Sequence, residues 1–173
     1  NTPLLEKMDW LFEGCSKLIS VNISSFDISK VKSIQYMFSG CSNLENIFIG
    51  NNTIAPLENM IGVFKSCSKL TYIDLSNFDI SKIKDLSSLF DGCSSLEEIN
   101  FGNINTSSLE NMYALLSGCS NLVSIDLSQF DTSKVRNMEW MFNGCSNLEN
   151  IIFGNIDTSS LETMGMTFQG CSK

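Results

Sequence analysis

An α/β repeat solenoid of 26-residue units, with parallel strands on one face and short helices on the other, is the fold this sequence predicts. Three observations carry that reading. Cysteines stand at Cys15, Cys41, Cys67, Cys93, Cys119, Cys145 and Cys171, at one unvarying interval. Each is followed by Ser and six follow Gly, with Ser66 in that place before Cys67. Every unit then repeats the same apolar pattern, helical in spacing before the cysteine and strand-like after it. A fixed period of roughly 20 to 50 residues is the mark of stacked repeats.

The helix is expected before each cysteine. Val135, Met138, Met141, Phe142 and Cys145 have helical spacing. Ser133 stands where an N-cap belongs and Gly144 where a C-terminal stop belongs. Ser107-x-x-Glu110 and Ser159-x-x-Glu162 read as capping boxes, and Pro56 as a first helical residue. The strand is expected after the cysteine, in Leu122-x-x-Ile125-x-Leu127 and its equivalents, where the last two apolar residues alternate with polar ones. A turn rich in Ser, Asn, Asp and Gly follows, with one more apolar plug at Phe26, Phe78, Ile104, Phe130 or Ile156. The expected stack has six strands, paired in parallel throughout, and seven helices of about three turns.

These 173 residues, 43% hydrophobic, suffice for one continuous core, and the unbroken period leaves no linker, so 1–173 reads as a single repeat domain. It also reads as a fragment of a longer array. Leu5, Glu6 and Met8 align with Leu57, Glu58 and Met60, and Cys171-Ser172-Lys173 falls inside another unit. The polar caps that solenoids normally carry are not evident.

A formal net charge of -8 disfavours nucleic acid, which needs clustered Lys and Arg. The absence of histidine removes the commonest general base and metal ligand. No apolar run approaches the ~18 residues of a membrane helix. The opening residues lack the basic start and apolar block of a signal peptide.

The unit resembles, over residues 5 to 173, the BspA-like leucine-rich repeat family, and within it the 26-residue bacterial surface protein branch. The resemblance lies in Leu-x-x-Ile-x-Leu and in Val135-x-x-Met138-x-x-Met141-Phe142-x-Gly144-Cys145-Ser146-x-Leu148. It implies a right-handed leucine-rich-repeat solenoid, secreted or wall-attached, that binds host or neighbouring-cell proteins and has no catalytic residues. Departures are Ser66 for Gly, Leu116 for Phe, and Asn51-Asn52-Thr53-Ile54-Ala55-Pro56, which lacks the usual Phe-Asp-Thr-Ser-Lys turn.

A second, 52-residue period underlies the first. Units of the type Ile73-Asp74-Leu75-Ser76-Asn77-Phe78-Asp79 alternate with units of the type Ile99-Asn100-Phe101-Gly102-Asn103. Charge alternates with them, through Glu6, Lys32, Glu58, Lys84, Glu110, Arg136 and Glu162. Stacked, these make a charge ladder, read as a register device because slippage by one unit sets like charges together.

Seven cysteines cannot all pair within the chain. Stacked equivalents point the same way, which holds their Cβ atoms further apart than a disulfide wants, so a column of reduced, buried thiols is favoured over disulfides or a metal site. Asp27, Asp79, Asp131 and Asp157 read as turn formers that bond their own backbone, in preference to calcium ligands. Trp10, Tyr36, Tyr113 and Trp140 read as half-buried packing on the helix side.

The candidate binding surface is the outward strand face, with Asn46, Phe48, Tyr72, Asp74, Glu98, Asn100, Ser124, Asp126, Asn150 and Ile152. Phe48 and Tyr72 are aromatics on adjacent rungs, the type that dominates interfaces. The expected function is a non-catalytic, extracellular or cell-surface binding or adhesion module. Its expected partner is a basic or neutral protein of a host, a neighbouring cell or the matrix. The chain is expected to be a monomer with no cofactor and no metal. The alternative is a structural spacer or stalk with no ligand of its own.

Overall fold

The computed structural model describes residues 4–50 and 54–173, so the altered turn at Asn51-Asn52-Thr53 lies outside it. Six three-residue strands are described: β1 Ser20–Asn22, β2 Asn46–Phe48, β3 Tyr72–Asp74, β4 Glu98–Asn100, β5 Ser124–Asp126 and β6 Asn150–Ile152. Each is centred on the inward Val or Ile of the repeat, with its two ends exposed. All pairing is parallel, as the stack demands.

It is not continuous. The strands form three separate two-stranded sheets, β1 with β2, β3 with β4 and β5 with β6. The longer of the two sequence periods is thus also the period of strand pairing. In each pair a glycine of the second unit lies against a serine of the first. A Cβ on Gly50 would come within 2.8 Å of Ser24, one on Gly102 within 2.6 Å of Ser76, and one on Gly154 within 2.8 Å of Ser128. Only glycine, at φ +78°, +66° and +62°, permits that approach.

The opposite face overturns the expectation of seven helices: among the described residues there is no helix. In its place each unit makes overlapping four-residue turns. Leu11 donates its N–H to the Met8 carbonyl, Glu13 to Trp10 and Cys15 to Phe12. The N–H groups between them leave the rung. Trp10 donates to Gln35, Phe12 to Met37 and Gly14 to Ser39, each at 2.7 to 3.0 Å. The same alternation recurs at Tyr36, Phe38 and Gly40, and again at Ser88, Phe90 and Gly92.

Two left-handed residues per unit enforce it. Trp10, Tyr36, Gly62, Ser88, Ala114, Trp140 and Met166 have φ between 51° and 60°. The residue before each cysteine is left-handed too, with φ between 60° and 80°, including Ser66 at 60°. Each is the third residue of a turn, where type II geometry requires positive φ, and no α-helix accommodates it. The apparent capping boxes dissolve accordingly: Ser107 N–H is bonded to the Asn105 side chain, and the N–H of Glu110 and Glu162 to the carbonyls of Lys84 and Arg136 on the preceding rungs. Pro56 begins no helix, and Leu57 after it donates to Asp79.

The burial pattern that suggested a helix is nonetheless real. Val135, Met138, Met141, Phe142 and Cys145 are all buried, because overlapping turns return side chains inward at offsets of three and four. Equivalent positions lie over one another. Phe12, Phe38, Phe64 and Phe90 form a stack with centroids 5.4 to 5.9 Å apart and rings within 7° of parallel. Leu116 interrupts it before Phe142 and Phe168 resume at 5.6 Å.

The sulfurs form a second column. Cys41, Cys67, Cys93, Cys119 and Cys145 are wholly buried, and each donates its S–H to a carbonyl of the rung before, Phe12, Phe38, Phe64, Phe90 and Leu116, at 3.0 to 3.3 Å. Burial pushes these thiols up, to about 11 at Cys41 and about 12 at Cys93 and Cys145.

The charge ladder stands as a backbone column. Lys32 N–H meets the Glu6 carbonyl at 2.8 Å, Glu58 meets Lys32, and Arg136 meets Glu110. Its side chains close two ion pairs among the described residues, Lys84–Glu110 at 3.0 Å and Arg136–Glu162 at 3.3 Å.

Candidate binding face

Every outward strand residue named from the sequence is exposed and on one face, at the ends of β2 to β6. Phe48 is 54% exposed, Tyr72 46% and Ile152 55%. These are large apolar surfaces left in solvent by residues with no inward role.

The pairing of strands in twos gives this face its relief. Over β2 and β3, which share no ladder, and reaching Asn22 and Ser24 on the β1 rung, lies an open groove of about 620 Å³. It brings together Asn46, Phe48, Tyr72 and Asp74. Between β4 and β5 the corresponding hollow holds about 160 Å³ and touches Asn100 and Asp126. There Phe101 and Phe130 meet edge to face at 5.0 Å and close the gap from beneath. One unit pair earlier, those positions are Ile49 and Phe78, both lining the larger groove. Glu98, Ser124, Asn150 and Ile152 line neither hollow.

The groove also includes Glu45, Thr71 and Asn77, which strand alternation alone did not single out. They flank the strands: Glu45 precedes β2, Thr71 precedes β3 and Asn77 lies in the turn after β3. The groove's carboxylates are Glu45 and Asp74, and its described lining contains no Lys or Arg. Asp74 accepts the Ser76 N–H at 2.8 Å and the Asn100 side-chain amide at 3.1 Å. Hydrogen bonds from Ser76, then from Asn100, hold its carboxyl below the usual range, so it is ionised at neutral pH. Ser128 does the same for Asp126.

The turn aspartates behave as their positions suggested. Asp27, Asp79, Asp131 and Asp157 each accept the N–H two residues on, at 2.8 to 3.2 Å. Among the described residues no group of three or more His, Cys, Asp or Glu is placed to hold a metal ion. On the turn face Trp10 and Tyr36 stack at 6.5 Å, and Tyr36 covers Gly62 so closely that a Cβ there would sit 2.3 Å from its ring. Trp140 and Tyr113 are a little over a third exposed. No helix among the described residues is long and apolar enough to cross a membrane.

Parallel three-residue strands, a repeating inward Leu-x-x-Ile and an exposed strand face define a leucine-rich-repeat solenoid. The chain belongs to the family described as Mycoplasma protein of unknown function, DUF285, which matches residues 1–72 and 58–173. No curated protein matches it. Its fold is similar to that of the Treponema pallidum leucine-rich repeat protein TpLRR, with a TM-score of 0.57 and 24% identity over 87% of this chain and 64% of that one. It is also similar to a leucine-rich repeat protein from Eubacterium ventriosum ATCC 27560, with a TM-score of 0.50 and 22% identity over 84% of this chain. The chain spans 64% of the first of these and 42% of the second.

Proposed function

We propose that this chain is a non-catalytic binding module that holds a protein partner on its outward strand face, as part of a cell-surface or secreted protein. The observation that carries the reading is the β2–β3 groove, where two exposed aromatics, Phe48 and Tyr72, stand beside the carboxylates of Glu45 and Asp74. Aromatics supply contact area at low entropic cost and dominate interface energetics, and the acidic rim favours a basic or neutral partner. The cleft is open, its Asp74 carboxylate serves as an ordinary turn acceptor, and the chain has no histidine to share proton transfer with it. The module acts as a monomer, without cofactor, on a protein of a host cell, a neighbouring cell or the matrix.

The spacer reading draws its support from the turn face, whose rung-to-rung hydrogen bonds would suit a stalk. Capture of matrix and cell-surface proteins on the immobilised chain separates the two. The F48A/Y72A double variant should lose at least tenfold in retained partner while melting as the parent does. A chain that captures nothing, or a double variant that captures as well as the parent, would leave the spacer.

A further inference from the structure

The groove differs from an ordinary surface depression in what forms its two walls. Each wall is the edge of a parallel two-stranded sheet, β1–β2 on one side and β3–β4 on the other. No backbone hydrogen bond joins Asn46–Phe48 to Tyr72–Asp74. A strand edge is a template of N–H and C=O groups for another chain. Two such edges facing each other across one cleft can be satisfied together by a single extended segment. The groove as a whole, which also reaches Asn22 and Ser24 on the β1 rung, holds about 620 Å³, within the roughly 300–1,000 Å³ of clefts that hold ligands. The equivalent gap between β4 and β5 is plugged by the Phe101–Phe130 contact, whereas Ile49 in place of that first phenylalanine leaves this one open.

Charge selects the occupant. The described lining offers Glu45 and Asp74 with no cation to neutralise them. In an extended segment, side chains alternate in direction. Basic residues at every second position would lie along the outward side, beside those carboxylates. The intervening residues would face Ile47 and Ile73 on the floor, with Phe48 and Tyr72 as walls.

The geometry points to strand insertion: an extended, basic stretch of a partner polypeptide enters between β2 and β3 and joins the β1–β2 and β3–β4 sheets into one. This deepens the binding-module reading and rests on it. The mode is β-augmentation, in which main-chain hydrogen bonds supply affinity and alternate side-chain sites supply specificity.

The test uses the whole chain and fluorescein-labelled peptides in anisotropy titrations. A peptide of four Val-Lys repeats should bind, and one of four Val-Glu repeats should bind at least tenfold more weakly. N-methylation of alternate amides, which removes strand donors and keeps the charge, should abolish binding. Ile49→Phe, which rebuilds the plug of the β4–β5 gap, should weaken binding at least tenfold. So should Glu45→Gln with Asp74→Asn at low salt, a pair of exposed changes that leaves the core alone if the phenylalanine variant fails to fold. Absence of binding by the Val-Lys peptide at millimolar concentration, equal binding of its N-methylated form, or indifference to both sets of substitutions would overturn the inference. If the Val-Lys peptide fails while F48A/Y72A still loses captured partner, the face binds by another mode: strand insertion falls and the binding function stands.

Discussion

The two long faces of this solenoid are built on different periods. The turn face repeats with every unit, and in most units alternate backbone N–H groups pass to the next rung. The strand face repeats with every second unit, pairing its strands in twos and leaving clefts between the pairs. The same column of residues can therefore be part of a rigid spine on one side and an interrupted, ligand-sized surface on the other. Stability resides in the first, and the recognition proposed for this chain in the second.

That division is broken most directly by truncating one aromatic on each face. Phe90 is wholly buried and stacked on Phe64 at 5.5 Å. Phe90→Ala should lower unfolding free energy by about 3–5 kcal/mol. Phe48→Ala, in the open groove, should change it by less than about 0.5 kcal/mol. Equal losses in denaturant titrations would mean the strand face is also core.

The sulfur column offers a pH readout of the same spine. The folded thiols of Cys41, Cys93 and Cys145 titrate at about 11, 12 and 12, above the roughly 8.5 of an unfolded cysteine. Below pH 8.5 both states hold the proton and stability is unaffected. As pH rises past 8.5 the unfolded thiols ionise first, so stability should fall, by about 1.4 kcal/mol per pH unit for each buried thiol. A flat stability curve from pH 8 to pH 10 would place the sulfurs in water.

Backbone strain on the turn face can be changed in both directions. Gly118 has φ +74°, and a Cβ there would meet Gly92 backbone atoms at 3.3 Å. Gly118→Ala should destabilise by about 1–2 kcal/mol. Ser66, at φ 60° in the equivalent place, should gain about 0.5–1 kcal/mol on replacement by glycine. The smallest effect belongs to the charge ladder. Glu110 meets Lys84 at 3.0 Å at the surface, and the Lys84 hydrogen bond and charge hold its carboxyl below the ordinary range. Glu110→Lys should lower the melting temperature more at low salt than at high salt, and an equal shift at both would remove the ladder as a register device.

Much of this was legible from the sequence, and what was not has a physical reason. The rungs, the inward residues of each strand, the thiol column and the self-bonding turn aspartates follow from residue spacing and side-chain chemistry. The turn face was misread because Met138, Met141, Phe142 and Cys145 bury the same way whether the chain coils or zigzags through overlapping turns. The distinguishing sign was Gly62, a glycine at a position held elsewhere by Trp, Tyr, Ser, Ala or Met, all with positive φ. The strand face was half legible. Its exposed residues were named, but the cleft that gathers four of them depends on where pairing stops. That was written only in the alternation of Ser24, Ser76 and Ser128 with Gly50, Gly102 and Gly154. The charge alternation on the same period drew attention to the wrong side chains.

The decisive measurement is the scalar coupling carried across hydrogen bonds in NMR, read at the Phe90 amide. The rung-to-rung turn face predicts a coupling from the Phe90 nitrogen to the carbonyl carbon of Leu115, on the following rung, across a bond of 3.0 Å. A coupling to Leu86 instead, one helical turn back along the chain as in an α-helix, would contradict it.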